Sequence, residues 1–356
     1  MNKLSDVAVA LSGGVDSSMA AALLKAAGWE VHGVHFMLPS TPSMREGRLE
    51  GVKRIAEHLE IPVEIIDLTQ IFEDLVVEPF VDAYLRGLTP NPCVRCNPLI
   101  KFEHLHRYIL EKKIQYLASG HYVRLVKGKQ DMVGLRRGRD SRKDQSYFLH
   151  RLTQPSLSRV VFPLGEMTKD EVRNLAREMG LPCHSNPESQ EICFISGTDY
   201  RSFVEKRRGI TGKEKGVIIT DDGETLGEHQ GVYRYTIGQR HGLGIASSRP
   251  YYVKEIRSEL NQVVVGRREA LFAGMVDAVH FNWVGKPPLE GRFRMQAQVR
   301  YRHKAAPGQL EVLSSDEVRF IFDRPQWAVT PGQALVCYDG DRLIGGGWII
   351  RNHSRS

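Results

Sequence analysis

The first hundred residues switch repeatedly between two hydrophobic periods, and this alternation limits the fold more than any other feature. Residues 6–11 form a short apolar run, Ser12-Gly13-Gly14 breaks it, and Asp16-Ser17-Ser18 can cap the helical pattern that stops at Gly28. Residues 31–36 and 63–68 repeat the strand pattern around a helical stretch at 47–59. Helical patterns at 72–85 and 99–112 and a strand at 116–119 complete the segment. Strand, helix, strand at this spacing needs crossover connections, and so a parallel sheet covered by helices. Such sheets bind ligands at the carboxyl ends of their strands, and the Ser-Gly-Gly turn sits at the first of these ends.

After about residue 215 the texture changes to short strand-like runs separated by turns such as Asp221-Asp222-Gly223 and Asp339-Gly340-Asp341. No long helical pattern intervenes, so this half reads as all-β, a small β module and a closed barrel parting near 268–274. The expectation is an α/β parallel-sheet nucleotide domain over 1–204, a central small β domain over 205–270 and a C-terminal β-barrel over 271–356.

Residues 1–90 hold seven basic and thirteen acidic side chains, so the rest of the chain must supply more than the whole net charge of +7. One basic run contains Arg136, Arg137, Arg139, Arg142 and Lys143; a second contains Arg201, Lys206, Arg207, Arg208, Lys213 and Lys215. Local positive excess of this kind suits a polyanion, whose counterions are released on binding. Five cysteines in 356 residues do not suggest an oxidised framework, and no apolar run has the length of a membrane span. The expectation is a cytoplasmic protein with reduced thiols and no membrane partner.

Ser12-Gly13-Gly14-Val15-Asp16-Ser17-Ser18, between a strand and a helix, combines glycines that let the backbone approach an anion with a helix N-terminus that favours negative charge. It is not a Walker A loop, because no Gly-x4-Gly-Lys-Ser/Thr occurs. It resembles the loop of the N-type ATP pyrophosphatases, which split ATP between the α and β phosphates and hold the departing pyrophosphate. Cys93 and Cys96 form a Cys-x2-Cys in a stretch with three prolines, which argues against regular helix there; no second such pair exists to complete a zinc site. Cys193 follows Pro187 and Ser189-Gln190-Glu191, whereas Cys183 and Cys337 read as core cysteines. Arg95 is positioned in sequence to lower a neighbouring thiol pKa. The segment Arg300-Tyr301-Arg302-His303 reads as a β-ribbon presenting guanidinium and aromatic groups to RNA.

Further segments in order along the chain are Asn91-Pro92-x3-Cys96-Asn97, Ile100-Lys101-Phe102, Ser119-Gly120-His121-Tyr122, Lys143-Asp144-Gln145-Ser146-Tyr147, Ile192-Cys193-Phe194-Ile195, Gly227-Glu228-His229-Gln230-Gly231, Gly238-Gln239-Arg240 and Pro331-Gly332-Gln333. With the loop, they make the chain similar to the tRNA 2-thiouridylase family over essentially its whole length. The resemblance implies that ATP adenylates the C2 oxygen of a tRNA wobble uridine and that a sulfur nucleophile then displaces AMP. It implies Cys96 as the nucleophile and Cys193 as the persulfide carrier. Ala10, Leu11, Ser12, Gly13, Gly14, Val15, Asp16 and Ser17, with Phe36 and Gly120, would hold ATP, and Asp16 would help hold magnesium. Asn91, Pro92 and Cys93 would lie beside the target base. His121, Lys143, Asp144, Gln145, Arg300, Tyr301 and Gln333 would contact tRNA, and a donor protein or hydrosulfide would supply sulfur.

Two departures stand out: many members of the family have Asp at the position of Cys93, and the segment 38–43 lacks the acidic and aromatic character expected there. The first leaves two sulfur chemistries open. Cys93, Cys96 and Cys193 could hold a [4Fe–4S] cluster with one iron open to hydrosulfide, or Cys96 and Cys193 could relay a persulfide. Two other functions compete. A pyrophosphatase-type synthetase acting on a metabolite leaves the cysteines and barrel unexplained; a non-catalytic RNA-binding protein leaves the intact loop unexplained.

Overall fold

The computed structural model describes residues 5–128, 131–186, 192–195, 197–212, 214–286, 288 and 290–351. Pro187, Ser189, Gln190, Glu191 and Lys213 lie outside them. Strands β1 (Asp6–Ala10), β2 (Glu30–Met37), β3 (Val63–Asp67) and β4 (Tyr116–Ala118) stand in the order β3-β2-β1-β4, all parallel. The short strand Val160–Val161 pairs with the outer edge of β4. Alternate residues of β1 face opposite layers, as the strand period requires. Val7 and Val9 pack with Met19 and Ala20 of helix α1 (Val15–Ala26), and Ala8 packs with Leu105 and Ile109 of the helix Glu103–Lys112 on the other face. Helix α2 (Pro42–His58) joins the α1 layer through Val52 and Ile55.

Several local expectations shift. Helix α1 begins at Val15 with Gly14 as its cap and no capping side chain; the Ser17 and Ser18 hydroxyls instead donate back to the Gly14 carbonyl at 3.1 and 2.9 Å. Helix α2 starts earlier than its pattern suggested because Thr41 caps it and Pro42 occupies the first turn, where a missing N–H costs nothing. The same geometry overturns the exclusion of helix at the Cys-x2-Cys. Pro92–Cys96 is helical, with Asn91 accepting from the Cys93 N–H at 3.2 Å and Pro92 in the first turn. A π-helical turn, Asn97–Phe102, carries this helix into Glu103–Lys112, and a second π turn, Glu73–Val77, interrupts the preceding helical stretch. Single π turns recur at functional sites because they re-aim side chains within a helix.

The middle sheet places Tyr252–Arg257, Gln262–Gly266, Lys215–Ile219 and Thr225–Gln230 side by side, and residues 232–234 form a 3₁₀ turn. In the C-terminal part six strands close into a barrel, because Phe272–Trp283 pairs with both Val318–Trp327 and Arg342–Ile349. A hairpin from the first part of the chain, Val123–Lys127 with Val133–Arg137, pairs onto this barrel through Arg136 opposite Arg342 and Leu135 opposite Leu343. The barrel strand Arg292–Gln298 ends before Arg300, so residues 300–303 are a turn and not a ribbon. The Gln298 side-chain amide builds that turn by donating to the Tyr301 and His303 carbonyls at 3.3 and 2.6 Å.

Candidate active site

One cavity of about 470 Å³ opens at the carboxyl ends of β1, β2 and β4. Its first wall is the Ser-Gly-Gly turn. Gly13 takes φ +81°, a left-handed conformation that suits glycine, and a side chain there would point at Val52 and the Arg48 carbonyl of α2. The Ser17 hydroxyl accepts from the Ser12 N–H at 3.1 Å, which curls the loop over the start of α1. Ala10, Leu11, Ser12, Gly14, Asp16 and Ser17 line the cavity, while Val15 turns into the core. Phe36 and Gly120 also line it. A methyl group on Gly120 would fall 2.5 Å from the Asp16 backbone, so only glycine permits this approach of the β4 loop to the nucleotide loop.

The same cavity carries sulfur. Cys93, Cys96 and Cys193 all line this cavity, Cys96 buried and the other two exposed to it. The Cys-x2-Cys helix and π turn fix the first two, and Phe194 fixes the third by packing its ring against Phe72, Phe80 and Phe203. Burial pushes the Cys96 thiol up to about 12 and raises the Cys93 thiol as well; in both cases Lys101 acts in the opposite direction. Lys101 is therefore the cation beside the thiols. Arg95, expected in that role, donates its Nε to the Leu75 carbonyl at 3.1 Å. His121 lines the cavity with Nδ1 2.9 Å from the Ser119 hydroxyl; desolvation first, then Lys101, pulls its pKa down to about 3, so it is neutral at physiological pH.

Among the described residues no group of three His, Cys, Asp or Glu is gathered as a single metal ion would require. A [4Fe–4S] cube spaces its ligand sulfurs wider than one ion does, and three thiols lining one cavity match its donor chemistry. Magnesium usually takes one or two carboxylates plus phosphate oxygens, a demand that Asp16 at the phosphate loop fits.

The structure gives several expected RNA contacts internal partners. Asp144 is buried and accepts from Arg137, the Gly138 N–H and both the N–H and hydroxyl of Ser146. Gln145 lines the cavity, and its Oε1 accepts from the Tyr122 N–H at 3.0 Å. The Arg300 guanidinium donates to the Trp327 and Ala328 carbonyls, and the Tyr301 ring packs at a tilt of 37° against Phe148 with ring centres 4.2 Å apart. The Gln333 amide donates to the Thr89 carbonyl at 2.7 Å and so ties the barrel to the loop that delivers Asn91, Pro92 and Cys93. Lys143 sits in the turn that follows Asp140, its N–H donating to the Asp140 carbonyl at 3.0 Å. The basic runs are largely paired within the molecule: Arg207 and Arg208 with Glu73, Glu78 and Asp82, and Arg124, Arg136, Arg139 and Arg142 with Asp341, Glu171, Asp140 and Asp170. Charge counted along the sequence thus overstates the exposed positive surface. Sequence reasoning did not single out Arg45 and Arg48, which α2 brings to the cavity, or Lys169, whose only signal was the adjacent Thr168-x-x-Glu171 capping box.

Family models describe the same three parts. The tRNA methyl transferase HUP domain matches residues 5–197, the tRNA methyl transferase PRC-barrel domain residues 201–267, and the aminomethyltransferase beta-barrel domain residues 275–349. Among curated relatives, tRNA-specific 2-thiouridylase MnmA of Carboxydothermus hydrogenoformans is 45% identical over 96% of this chain and 97% of that protein. Its counterparts from Geobacter metallireducens and Syntrophotalea carbinolica are 45% and 46% identical over 96% of this chain and 96% and 98% of their own. A solved 4-thiouridine synthetase–RNA complex with bound ATP overlaps 58% of this chain and 50% of its own at 16% identity and a TM-score of 0.36, too distant to bear on function. With full-length matches at this identity, the chain belongs to the tRNA-specific 2-thiouridylase MnmA family.

Proposed function

We propose that this chain is an ATP-dependent tRNA uridine 2-sulfurtransferase acting on the wobble uridine. One observation carries the reading: a single cavity is lined both by a pyrophosphate-type loop and by three cysteines. Backbone N–H groups at Gly13–Gly14 and the start of α1 favour the departing pyrophosphate as the uridine C2 oxygen bonds to the α phosphorus. Phe36 and Gly120 shape the adenosine side, and neutral His121 offers the substrate a hydrogen bond without a competing charge. A sulfur nucleophile then forms a bond to C2, and AMP leaves with the C2 oxygen. Lys101 favours the thiolate form of Cys96 against its burial.

Cys93, Cys96 and Cys193 would hold a [4Fe–4S] cluster, which when bound supplies an open iron position for hydrosulfide. The alternative uses two of the same cysteines: Cys193 carries the persulfide and Cys96 the exchange. The division at residues 204 and 270 is offered as the domain scheme; the helix Tyr200–Arg208 crosses the first of these points. Five free cysteines suit a reducing cytoplasm, and among the described residues no helix is long and apolar enough to cross a membrane. The test is 2-thiouridine in unmodified tRNA after incubation with ATP, magnesium and a sulfur source, with AMP and pyrophosphate released. Thiolation that proceeds equally without ATP overturns the reading.

A further inference from the structure

Asp16 lines the cavity at the nucleotide loop, and a single oxygen takes both of its strong contacts. The Tyr122 hydroxyl donates to Oδ1 at 2.7 Å and the Lys169 ammonium donates to the same Oδ1 at 2.6 Å. Among the described residues Oδ2 accepts no hydrogen bond. The Lys169 side chain is 7% exposed and that of Asp16 38%, so the ion pair is buried on the lysine side and open on the carboxylate side.

Lys169 breaks two local rules. A buried ammonium is costly, and a buried ion pair stabilises a fold little better than apolar residues of the same volume. It also stands at the first position of the helix Lys169–Glu178, where the helix dipole disfavours a cation. Such conflicts between local preference and observed placement concentrate at functional sites. Both donors are held from one direction. The Lys169 N–H donates to Asp140 Oδ2 at 3.1 Å, and Tyr122 exchanges hydrogen bonds with Gln145 through its own N–H and carbonyl, each at 3.0 Å. Two routes therefore run to one oxygen of the nucleotide loop, one from Asp140 and one from Gln145, the latter expected at the tRNA.

We propose that Lys169 and Tyr122 are positioning residues that fix the Asp16 carboxylate by Oδ1 and keep Oδ2 available for the magnesium of Mg·ATP. The proposal rests on the ATP-dependent reading of the site. It is tested by equilibrium binding of ATP to the full-length protein over a magnesium titration, for the wild type, Tyr122→Phe, Lys169→Met and Lys169→Arg. Tyr122→Phe deletes one hydroxyl and keeps the ring, so it remains informative if Lys169→Met fails to fold.

Loss of a hydrogen bond to a charged group predicts about tenfold weaker Mg·ATP binding in Tyr122→Phe and Lys169→Met. Lys169→Arg should recover part of it, and ATP binding in excess chelator should change little in all. A merely structural role would lower thermal stability while leaving the magnesium dependence of the folded protein at the wild-type value; that result overturns the proposal. Tighter Mg·ATP binding in Lys169→Met overturns it too, by showing that the ammonium competes with the metal. A wild type that does not bind Mg·ATP refutes this proposal and the functional reading together. Mg·ATP binding without thiolation of tRNA refutes only the functional reading.

Discussion

Replacing Gly120 by alanine tests the close approach between β4 and the nucleotide loop. The new methyl carbon would lie 2.5 Å from the Asp16 carbonyl carbon, 2.6 Å from its oxygen and 2.7 Å from the Ser17 nitrogen. All three are backbone atoms in the first turn of α1, so no side chain can rotate away. Restoring ordinary contact requires the two segments to part by about 1 Å. Overpacking of this kind costs about 1–3 kcal/mol, which in a domain of this size lowers Tm by roughly 2–10 °C. A displacement of about 1 Å at a phosphate-holding loop costs on the order of 100-fold in ATP-dependent turnover. Gly14→Ala is the steric control, since the nearest atom to its methyl is the Ser12 hydroxyl at 3.5 Å and its φ of −89° is open to alanine. Differential scanning calorimetry should separate the two variants, Gly14→Ala staying within about 2 °C of wild type. Equal Tm for both, with wild-type thiolation by Gly120→Ala, would falsify the reasoning.

The parallel sheet was legible because β1 and β2 are short apolar runs bounded by turn signals, while the helical stretches that follow them are longer. The site was legible as residue types: the Ser-Gly-Gly turn, the Cys-x2-Cys and Cys193 do reach one cavity. Partners were not legible. Arg95 and Lys101 are both near Cys96 in sequence, yet the helix and π turn send Arg95 to the Leu75 carbonyl and put Lys101 beside the thiols. Prolines misled because their cost depends on position within a helix, and Pro92 falls in the first turn. Asp144, Arg300 and Tyr301 look like surface chemistry in a string of letters. The partners of Arg300 and Tyr301 lie far away in sequence, which no local pattern encodes, whereas those of Asp144 lie within seven residues of it. The hairpin that joins the barrel sheet from residues 123–137 is missed for the same reason.

Lys143→Ala should weaken tRNA binding and reduce the slope of log affinity against log salt by about one phosphate contact, whereas Arg300→Ala should also lower barrel stability because it removes two carbonyl contacts. An unchanged slope for Lys143→Ala, or an unchanged Tm for Arg300→Ala, contradicts these roles. His121 and His150 are each held down to about 3, chiefly by burial, so folding keeps them neutral while the unfolded chain protonates them below about pH 6.5. Because the unfolded state binds more protons, stability should fall by about 1.4 kcal/mol per pH unit per histidine as pH drops from about 6.5 toward 3, and His150→Asn should lessen the slope in urea titrations. A slope unaltered by His150→Asn refutes the assignment. The decisive variants are at Cys93, where the two sulfur chemistries diverge although all three thiols line one cavity. If the three form a ligand set, Cys93→Ala leaves two thiolates, too few to retain a cubane, and bound iron, acid-labile sulfide and thiouridine yield disappear together under anaerobic purification. If Cys96 and Cys193 act alone, Cys93 is a bystander beside the base, and Cys93→Asp remains active in air without iron. Full thiolation by iron-free Cys93→Ala would eliminate the cluster and leave the persulfide relay.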